Sequence, residues 1–432
     1  EIRPRDWSSD VCSSDLFWHR LSQRMRPLDI GIIGSGTAGA AAALFLARAG
    51  HTVTVYERVE HPRPIGAGIL LQPTGQAVLA RLGLRDAVVA RAAPIDDLRC
   101  ERLDRRRVFR MRYAAIPGGH QGYGLHRGVL FEKLFAALQR SAVTLHLGVE
   151  VRDLAVTDDR EGQWFVTADG RRLGPHTLCI VADGARSQLR DDTVIPKRIR
   201  PYPWGALWYV ADDPDGVAGR SLVQVVDGTR HMAGALPTGL GPGDGHTRKV
   251  SFFYSVRADR VDAWKARGLD AARRELRAFV PQCAPLIDGI GSLDDILFTR
   301  YQDVSMWPWH TERVVYLGDA AHAMSPQLGQ GANLALWDAM ALADALAAHE
   351  TLPAALAAYS HGRRSHLRFY QYATRWLTPW FQSDLVPFGW LRDRVMPVAT
   401  AIPAMERLMV KAMAGLSSGI GLGRPLALPP PP

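Results

Sequence analysis

The tightest constraint on this chain's fold is a six-residue turn, Gly34-Ser-Gly36-Thr-Ala-Gly39, set between two apolar runs. Leu28–Ile33 reads as a buried strand, Thr37–Ala49 is an alanine-rich helix that Gly50 can end, and Thr52–Glu57 is β-branched like a second strand. Strand, glycine turn, helix and strand in that order open a doubly wound α/β domain. Glycine at 34 permits the tight turn, Gly36 lets the backbone approach a pyrophosphate, and Gly39 lets helix and strand pack closely. The free N–H groups of the first helical turn, which includes Thr37 and Ala38, and the positive end of its dipole both favour phosphate. Glu57 closes the second strand 18 residues after Gly39, where a carboxylate can accept both hydroxyls of an adenosine ribose. That acid speaks against NADP, whose 2′-phosphate it would repel. The motif alone does not separate NAD from FAD.

Two later stretches repeat the device of a strand that ends in chemistry. Thr177–Val181 is an apolar strand leading into Ala-Asp183-Gly184-Ala-Arg186-Ser187. Val314–Leu317 leads into Gly318-Asp319-Ala-Ala-His322-Ala-Met-Ser-Pro326-Gln-Leu-Gly329-Gln330-Gly331-Ala332-Asn333, and a long helix follows from about Gln330. An isolated Asp-Gly is more often only a turn. At the carboxyl end of a strand in an open α/β sheet it stands where ligands sit. A glycine-rich loop feeding a helix N-terminus can stabilise negative charge on a bound ring.

Between these motifs the pattern predicts helices at Thr74–Leu82, stopped by Gly83, and at Val129–Leu138, with strands at Thr144–Leu147 and Trp164–Ala168. From Tyr202 to Tyr254 the texture changes. Runs such as Ala206–Val210, Leu222–Val226 and Val250–Tyr254, separated by Gly, Pro and Asp, suit an antiparallel sheet inserted into the α/β domain. Helices return at Asp259–Phe279. Beyond Pro353 the chain reads as helical, with breaks at Pro379, Pro397 and Pro403.

At 432 residues the chain exceeds one simple core, and its 47% hydrophobic and 22% charged residues suit an ordinary globular protein. The net charge of +9 comes almost wholly from arginine, which is scattered and forms no basic run with interleaved aromatics. That pattern predicts no nucleic-acid partner. Cysteines at 12, 100, 179 and 283 have no CxxC spacing and no ligand-spaced histidines beside them. They predict neither a disulfide framework nor a metal site, and fit a reducing, cytoplasmic compartment. The apolar stretch Gly331–Ala348 contains Asn333, Asp338 and Asp344, so it reads as a buried helix instead of a membrane span. Within residues 1–26, the opening EIRPRDWSSDVCSSDL shows neither helical nor strand period and resembles translated sequencing-adapter sequence. Residues 1–26 as a whole read as a non-native or disordered leader, and 421–432 with Pro429–Pro432 reads as a disordered tail.

In order and spacing, GSGTAG with Glu57, then ADGARS, then GDAAHAMSPQLGQGAN resemble the FAD-dependent aromatic hydroxylases of the p-hydroxybenzoate hydroxylase type. Salicylate, kynurenine and ubiquinone-precursor hydroxylases belong to the same group. The likeness runs from Pro27 to about Ala348. It implies an FAD-binding Rossmann-like α/β domain (27–95, 123–197 and 296–350), an inserted, mostly antiparallel β-sheet substrate domain (96–122 and 198–295) and a helical C-terminal region (351–420). By that resemblance Gly34, Gly36, Thr37, Ala38 and Gly39 hold the FAD pyrophosphate, while Glu57, with Arg58 beside it, holds the adenine ribose. Arg127 matches an arginine near the phosphate and ribityl region. Asp183, Gly184 and Arg186 match a motif implicated in binding both FAD and NAD(P)H. Gly318 and Asp319 match the ribityl-binding pair, and Pro326, Gly329, Gln330, Gly331, Ala332 and Asn333 the loop under the isoalloxazine. Gly66–Pro73, with Gly68, resembles the segment beside the ring in the salicylate-hydroxylase branch.

The chemistry so implied is reduction of FAD by NADH or NADPH, reaction with O2 to a flavin C4a-hydroperoxide, and hydroxylation of a phenol or aromatic acid. Alternatives are an epoxidase or oxidase of a non-aromatic substrate, and a flavin-binding redox-responsive module without turnover. The chain would act as a monomer or a homodimer.

Individual residues carry less. His322 is tempting as a base, but its loop position suits packing. Trp307-Pro-Trp309 has the Trp-x-Trp spacing of flavin halogenases without the Ile-Pro that follows there, and reads as packing. Tyr202, Trp204, Trp208, Tyr209, His231, Phe252 and Tyr254 lie where a roof over the flavin is expected. About half must face away, because strand residues alternate. Among them His231 and Tyr209 are the candidates for orienting or deprotonating substrate. The segment Trp376–Gly415, similar to the tail of ubiquinone-pathway hydroxylases, suits a helical cover over the substrate domain. The sharper alternative is a membrane-surface face made of Trp390, Leu391, Met396, Met405, Leu408 and Met409.

Overall fold

The computed structural model describes residues 25–190, 194–419 and 424–429. Nearly all of the leader, and residues 421–423 and 430–432 of the tail, lie outside the described residues. The opening turn behaves as its glycines require. Asp29–Ile33 pairs in parallel with Thr52–Glu57 on one side and with Leu178–Val181 on the other. The finished five-stranded parallel sheet runs Val314–Tyr316, Leu178–Val181, Asp29–Ile33, Thr52–Glu57 and Thr144–Leu147. Its central strands are buried on both faces, which is why they read as continuous apolar runs. The helix Thr37–Arg48 buries Ala40 to Ala43 almost completely. A Cβ on Gly39 would stand 2.0 Å from the carbonyl oxygen of Gly34, so only glycine allows this approach.

A second sheet has seven strands, ordered Leu297–Met306, Lys197–Asp212, Arg248–Arg257, His231–Leu240, Ser221–Asp227, Asp97–Arg102 and Arg107–Arg112. Every pairing is antiparallel except that of Ser221–Asp227 with Asp97–Arg102. Leu297–Met306 pairs with Lys197–Asp212, so this sheet extends ten residues past the expected boundary at 296. Gly122–His126 joins Gly68–Leu71 and Ala93–Ile95 in a small sheet that packs against the strand His231–Leu240.

The seven-stranded sheet buries both faces. One carries Leu207, Val225, Ala233, Ala235, Val250, Phe252 and Tyr254 against the helices Val261–Ala266 and Leu269–Phe279. Both lie within the helical stretch expected at Asp259–Phe279; Gly268, at φ +84°, separates them. The other face carries Leu98, Leu222, Val226, Met232, Leu236 and Phe253. It packs with Leu70 of the small sheet and with Phe381, Met396, Val410 and Met413 of the C-terminal helices.

The C-terminal region departs from its predicted punctuation. Pro379 lies inside Leu352–Phe381 and Pro397 inside Val386–Ala401; only Pro403 opens a new helix. A proline removes one backbone hydrogen bond, but burial of Phe381 and Met396 on the sheet outweighs that loss. The tail is also shorter than expected. Arg424–Pro425 pairs with Ser417–Ser418, and Leu426 N donates to Leu416 O. Among the described residues no helix is long and apolar enough to cross a membrane.

Candidate functional site

Four neighbouring parallel strands end on the same edge of the first sheet, and each delivers a motif there. Gly34, at φ +97°, turns so tightly that a Cβ would stand 2.6 Å from the Ala182 carbonyl oxygen, which joins the first motif to the second. Ser35 donates from both N and Oγ to Glu57 Oε2, at 2.9 and 2.8 Å, and Val59 N donates to Oε1 at 3.0 Å. Glu57 is thus pinned beside the turn. A Cβ on Gly36 would find nothing within 4 Å. This is the space a pyrophosphate needs at a helix N-terminus.

Asp183 follows the third of these strands, and Gly184 follows at φ +90° facing open space. Burial pushes the Asp183 carboxyl above the usual carboxylate range, against the pull of Ser187, Arg190 and Arg58. Its Oδ1 is buried without a hydrogen-bond partner in the protein. Asp319 follows the fourth strand and is exposed, with Gly331 at the start of the next helix facing it. Arg190 welds the two loops together. Its guanidinium donates to the carbonyl oxygens of Ser187 and Ala185 in one, at 2.8 and 2.9 Å, and of Ala320 and Asp319 in the other, at 2.6 and 3.2 Å.

The loop after Asp319 is held from behind. Gly318 N donates to Asp338 Oδ2 at 2.9 Å, His322 Nε2 meets the same oxygen at 2.5 Å, and Arg363 Nε donates to Oδ1 at 2.7 Å. Burial drives the Asp338 carboxyl up, but the charges of His322 and Arg363 overcome it and hold the pKa at about 2. His322 is therefore a structural residue. His366, which accepts from Arg363 through Nδ1 and donates from Nε2 to Gly415 O, is pushed down to about 3 by burial and then by Arg363.

Further along, Pro326 is exposed and Gly329 adopts a left-handed φ of +61°. Asn333 accepts from Gln72 N at 2.9 Å and donates to Leu70 O and Gly329 O, fixing this loop to the strand that begins at Gly68. Tyr113 OH donates to Gln72 Oε1 at 2.7 Å. Gln72 Nε2 and Gln330 Oε1 are both buried without partners. The orphaned Asp183 Oδ1, with open space beside Gly36 and Gly184, fits a polar ligand along this edge. Thr37, Ala38 and Gly39 form the first helical turn, and Ala332 the helix start after the loop. Arg58, Arg127 and Arg186 are exposed; Arg127 lies over Gly66.

The two sheet candidates fall elsewhere. Tyr209 stacks on Phe252, and His231 Nδ1 meets Tyr254 OH at 2.7 Å. Tyr209 packs with the face covered by helices, and His231 lies exposed at the start of its strand. The residues turned toward Leu70 and the cofactor half are Met232, Leu236 and Phe253, with Trp208 packed against them. Ser35, Arg190, Gln72 and Tyr113 also went unremarked in the sequence. Asp338 and Arg363 had a signal, charge within buried helical stretches.

A model of the family described as FAD binding domain matches residues 27–370. The FAD-dependent monooxygenase atnJ of an Arthrinium species is 28% identical over 368 residues, 81% of this chain and 83% of that protein. Kynurenine 3-monooxygenase of Xanthomonas euvesicatoria is 29% identical over 391 residues, 78% of this chain and 76% of its own. Among solved structures, Pseudomonas aeruginosa PqsL in complex with 2-aminobenzoylacetate aligns with a TM-score of 0.72 at 24% identity, covering 84% of this chain and 99% of that one. Klebsiella pneumoniae HpxO complexed with FAD aligns at 0.74 and 20% identity, covering 90% and 99%. At these identities the two structures speak to the fold alone.

Proposed function

The chain belongs to the FAD binding domain family, and from that premise we propose that it is an FAD-dependent monooxygenase that hydroxylates an aromatic small molecule at the expense of NAD(P)H and O2. The observation that carries the assignment is the convergence of Glu57, Gly36, Asp183 and Asp319 on one sheet edge, with the apolar sheet face of Met232, Leu236 and Phe253 beyond it. Bound FAD, once reduced by NAD(P)H, supplies the activation of O2 and the delivery of one oxygen atom, the other leaving as water.

The chain's own residues do the rest. Gly34, Gly36 and Gly39 clear room for the pyrophosphate, and the N–H groups around Thr37 and Ala38 receive it. Glu57, already oriented by Ser35, accepts from the ribose hydroxyls. Asp183 and Asp319 offer acceptors, and Arg190 fixes the distance between their loops. Arg58, Arg127 and Arg186 stand ready for phosphate charge. The start of the Gly331–Ala348 helix would offer positive dipole potential to negative charge on the reduced ring. Met232, Leu236, Phe253 and Leu70 keep water from the reacting ring.

FAD-loaded protein should consume NADH or NADPH faster when the right phenol or aromatic acid is added, and should give a product containing one oxygen-18 from 18O2. Consumption that gives only hydrogen peroxide across the panel, or no consumption, would refute hydroxylation.

The same reading extends to a surface. The C-terminal helices bury Phe381, Met396 and Val410 on the sheet but expose Trp376, Val386, Trp390, Leu391, Val395, Val398 and Ile402 outward. Met396, expected on the outer face, points inward. Arg394 lies 3.8 Å over the Trp390 ring, the pairing of apolar body and cationic head that suits a headgroup boundary. Peripheral membrane contact through this face predicts co-sedimentation with anionic phospholipid vesicles that Trp376→Ser with Trp390→Ser abolishes. Equal sedimentation of both proteins would reject it.

A further inference from the structure

At the end of the seven-stranded sheet lies a hollow of about 240 Å³ that shares no lining residue with the cofactor edge. Its walls are Trp204, Trp264 and Tyr254, four arginines (230, 257, 260 and 267) and His231, with Glu275 as the lone acid. The aromatic walls are held in place by stacking. Tyr254 stacks on Trp264 at 6.0 Å, Arg267 lies over Trp264 at 5.8 Å and Arg257 over Trp204 at 5.0 Å.

The hydrogen bonds on the floor have a fixed direction. Tyr254 OH donates to Glu275, which also takes Trp264 Nε1 at 3.0 Å and Arg267. With its single proton committed, the Tyr254 oxygen must accept from His231 Nδ1–H, at 2.7 Å. In the neutral imidazole, His231 Nε2 is then left as an acceptor at an exposed position. Arg230 and Arg257 share Asp384, and Arg257 also holds Asp259. Arg260 is exposed and makes no ion pair among the described residues. One acceptor, one uncommitted guanidinium and two tryptophans thus surround a space somewhat smaller than a drug-sized ligand pocket, suited to a single small ring system.

We propose that this hollow is a second binding site for a small planar aromatic monoanion carrying a ring donor, such as an indole or hydroxyaryl carboxylate. The carboxylate meets Arg260, the ring lies among Trp204, Trp264 and the stacked arginines, and the ring donor meets His231 Nε2. The strand that forms its floor also faces the flavin loop on its other side. Ser255 Oγ accepts from Gln382 Nε2 at 2.7 Å, and Gln382 Oε1 accepts from Gln327 Nε2 at 2.8 Å, inside the Pro326–Gly329 turn.

The test is 5-bromoindole-3-carboxylate with the FAD-loaded enzyme. Crystals grown with it should give an anomalous bromine peak between Trp204 and Trp264. Calorimetric titration should show saturable binding that Arg260→Glu weakens about tenfold or more with FAD content unchanged. A bromine peak confined to the flavin cleft, the same affinity in Arg260→Glu, or no saturable binding each overturns the proposal. So does competitive displacement of the probe by NAD+, which would give the hollow to a nucleotide.

Discussion

In the parallel sheet every motif arrives at one edge, because parallel strands all end on the same side and each is followed by its own loop. In the seven-stranded sheet side chains alternate between two faces, and both faces are buried, one by helices and the other by the cofactor half and the C-terminal helices. Position along a strand therefore decides function in the first sheet, whereas parity along a strand decides it in the second. A one-residue change of parity moved Tyr209 and Trp208 to opposite environments.

The largest effect expected in the parallel half comes from its rear support. Asp338→Asn would leave Arg363 and His322 buried with no carboxylate between them, a loss of about 3–5 kcal/mol by the usual cost of breaking a buried pair. The Asp338 carboxyl titrates at about 2 in the folded chain against an ordinary 3.8, so its contribution is present above 3.8 and disappears as pH falls toward 2. Urea unfolding should show the gap between wild type and variant at pH 6 and its narrowing under acid. A gap that widens on acidification contradicts the assignment of charge.

Next comes the nucleotide edge. Because no protein atom lies within 4 Å of a Gly36 Cβ, and its φ of −68° suits any residue, Gly36→Val should fold normally. It should still weaken FAD binding about a hundredfold, roughly 3 kcal/mol, since the valine occupies the space the pyrophosphate needs. The check is the flavin absorbance of the purified variant beside its melting temperature. A variant that keeps stoichiometric yellow colour places the nucleotide elsewhere.

The difference between the halves also explains what could be read in advance. Gly34, Glu57, Asp183 and Asp319 sit in contiguous stretches whose physics is local: a turn, a helix start, a strand end. That locality made the parallel fold and its edge legible. Arg190 was not, because its role exists only where two loops far apart in sequence meet. Nor were Gln72 and Tyr113, which are 41 residues apart and joined by one hydrogen bond. Pro379 and Pro397 misled for a related reason: local propensity forbids them in helices, and long-range burial overrules it. The two candidates on the second sheet lie on its helix-covered side, a parity that a register shift between Pro201 and Gly205 obscures in the sequence.

Parity can be tested directly in turnover. Phe253 faces the cofactor half and Tyr209 faces the helices, although their strands are paired neighbours. Phe253→Leu keeps an apolar side chain but changes its shape on the face that packs toward Leu70. It should raise the substrate KM about tenfold, around 1.4 kcal/mol, with FAD content unchanged. Tyr209→Phe removes only a hydroxyl on the covered face and should leave kcat/KM within about twofold of wild type. Measuring both with one substrate sets the faces against each other on the same strand pair. If Tyr209→Phe is the damaging change and Phe253→Leu the silent one, the substrate lies on the helix-covered side, and the functional face of the second sheet must be reversed.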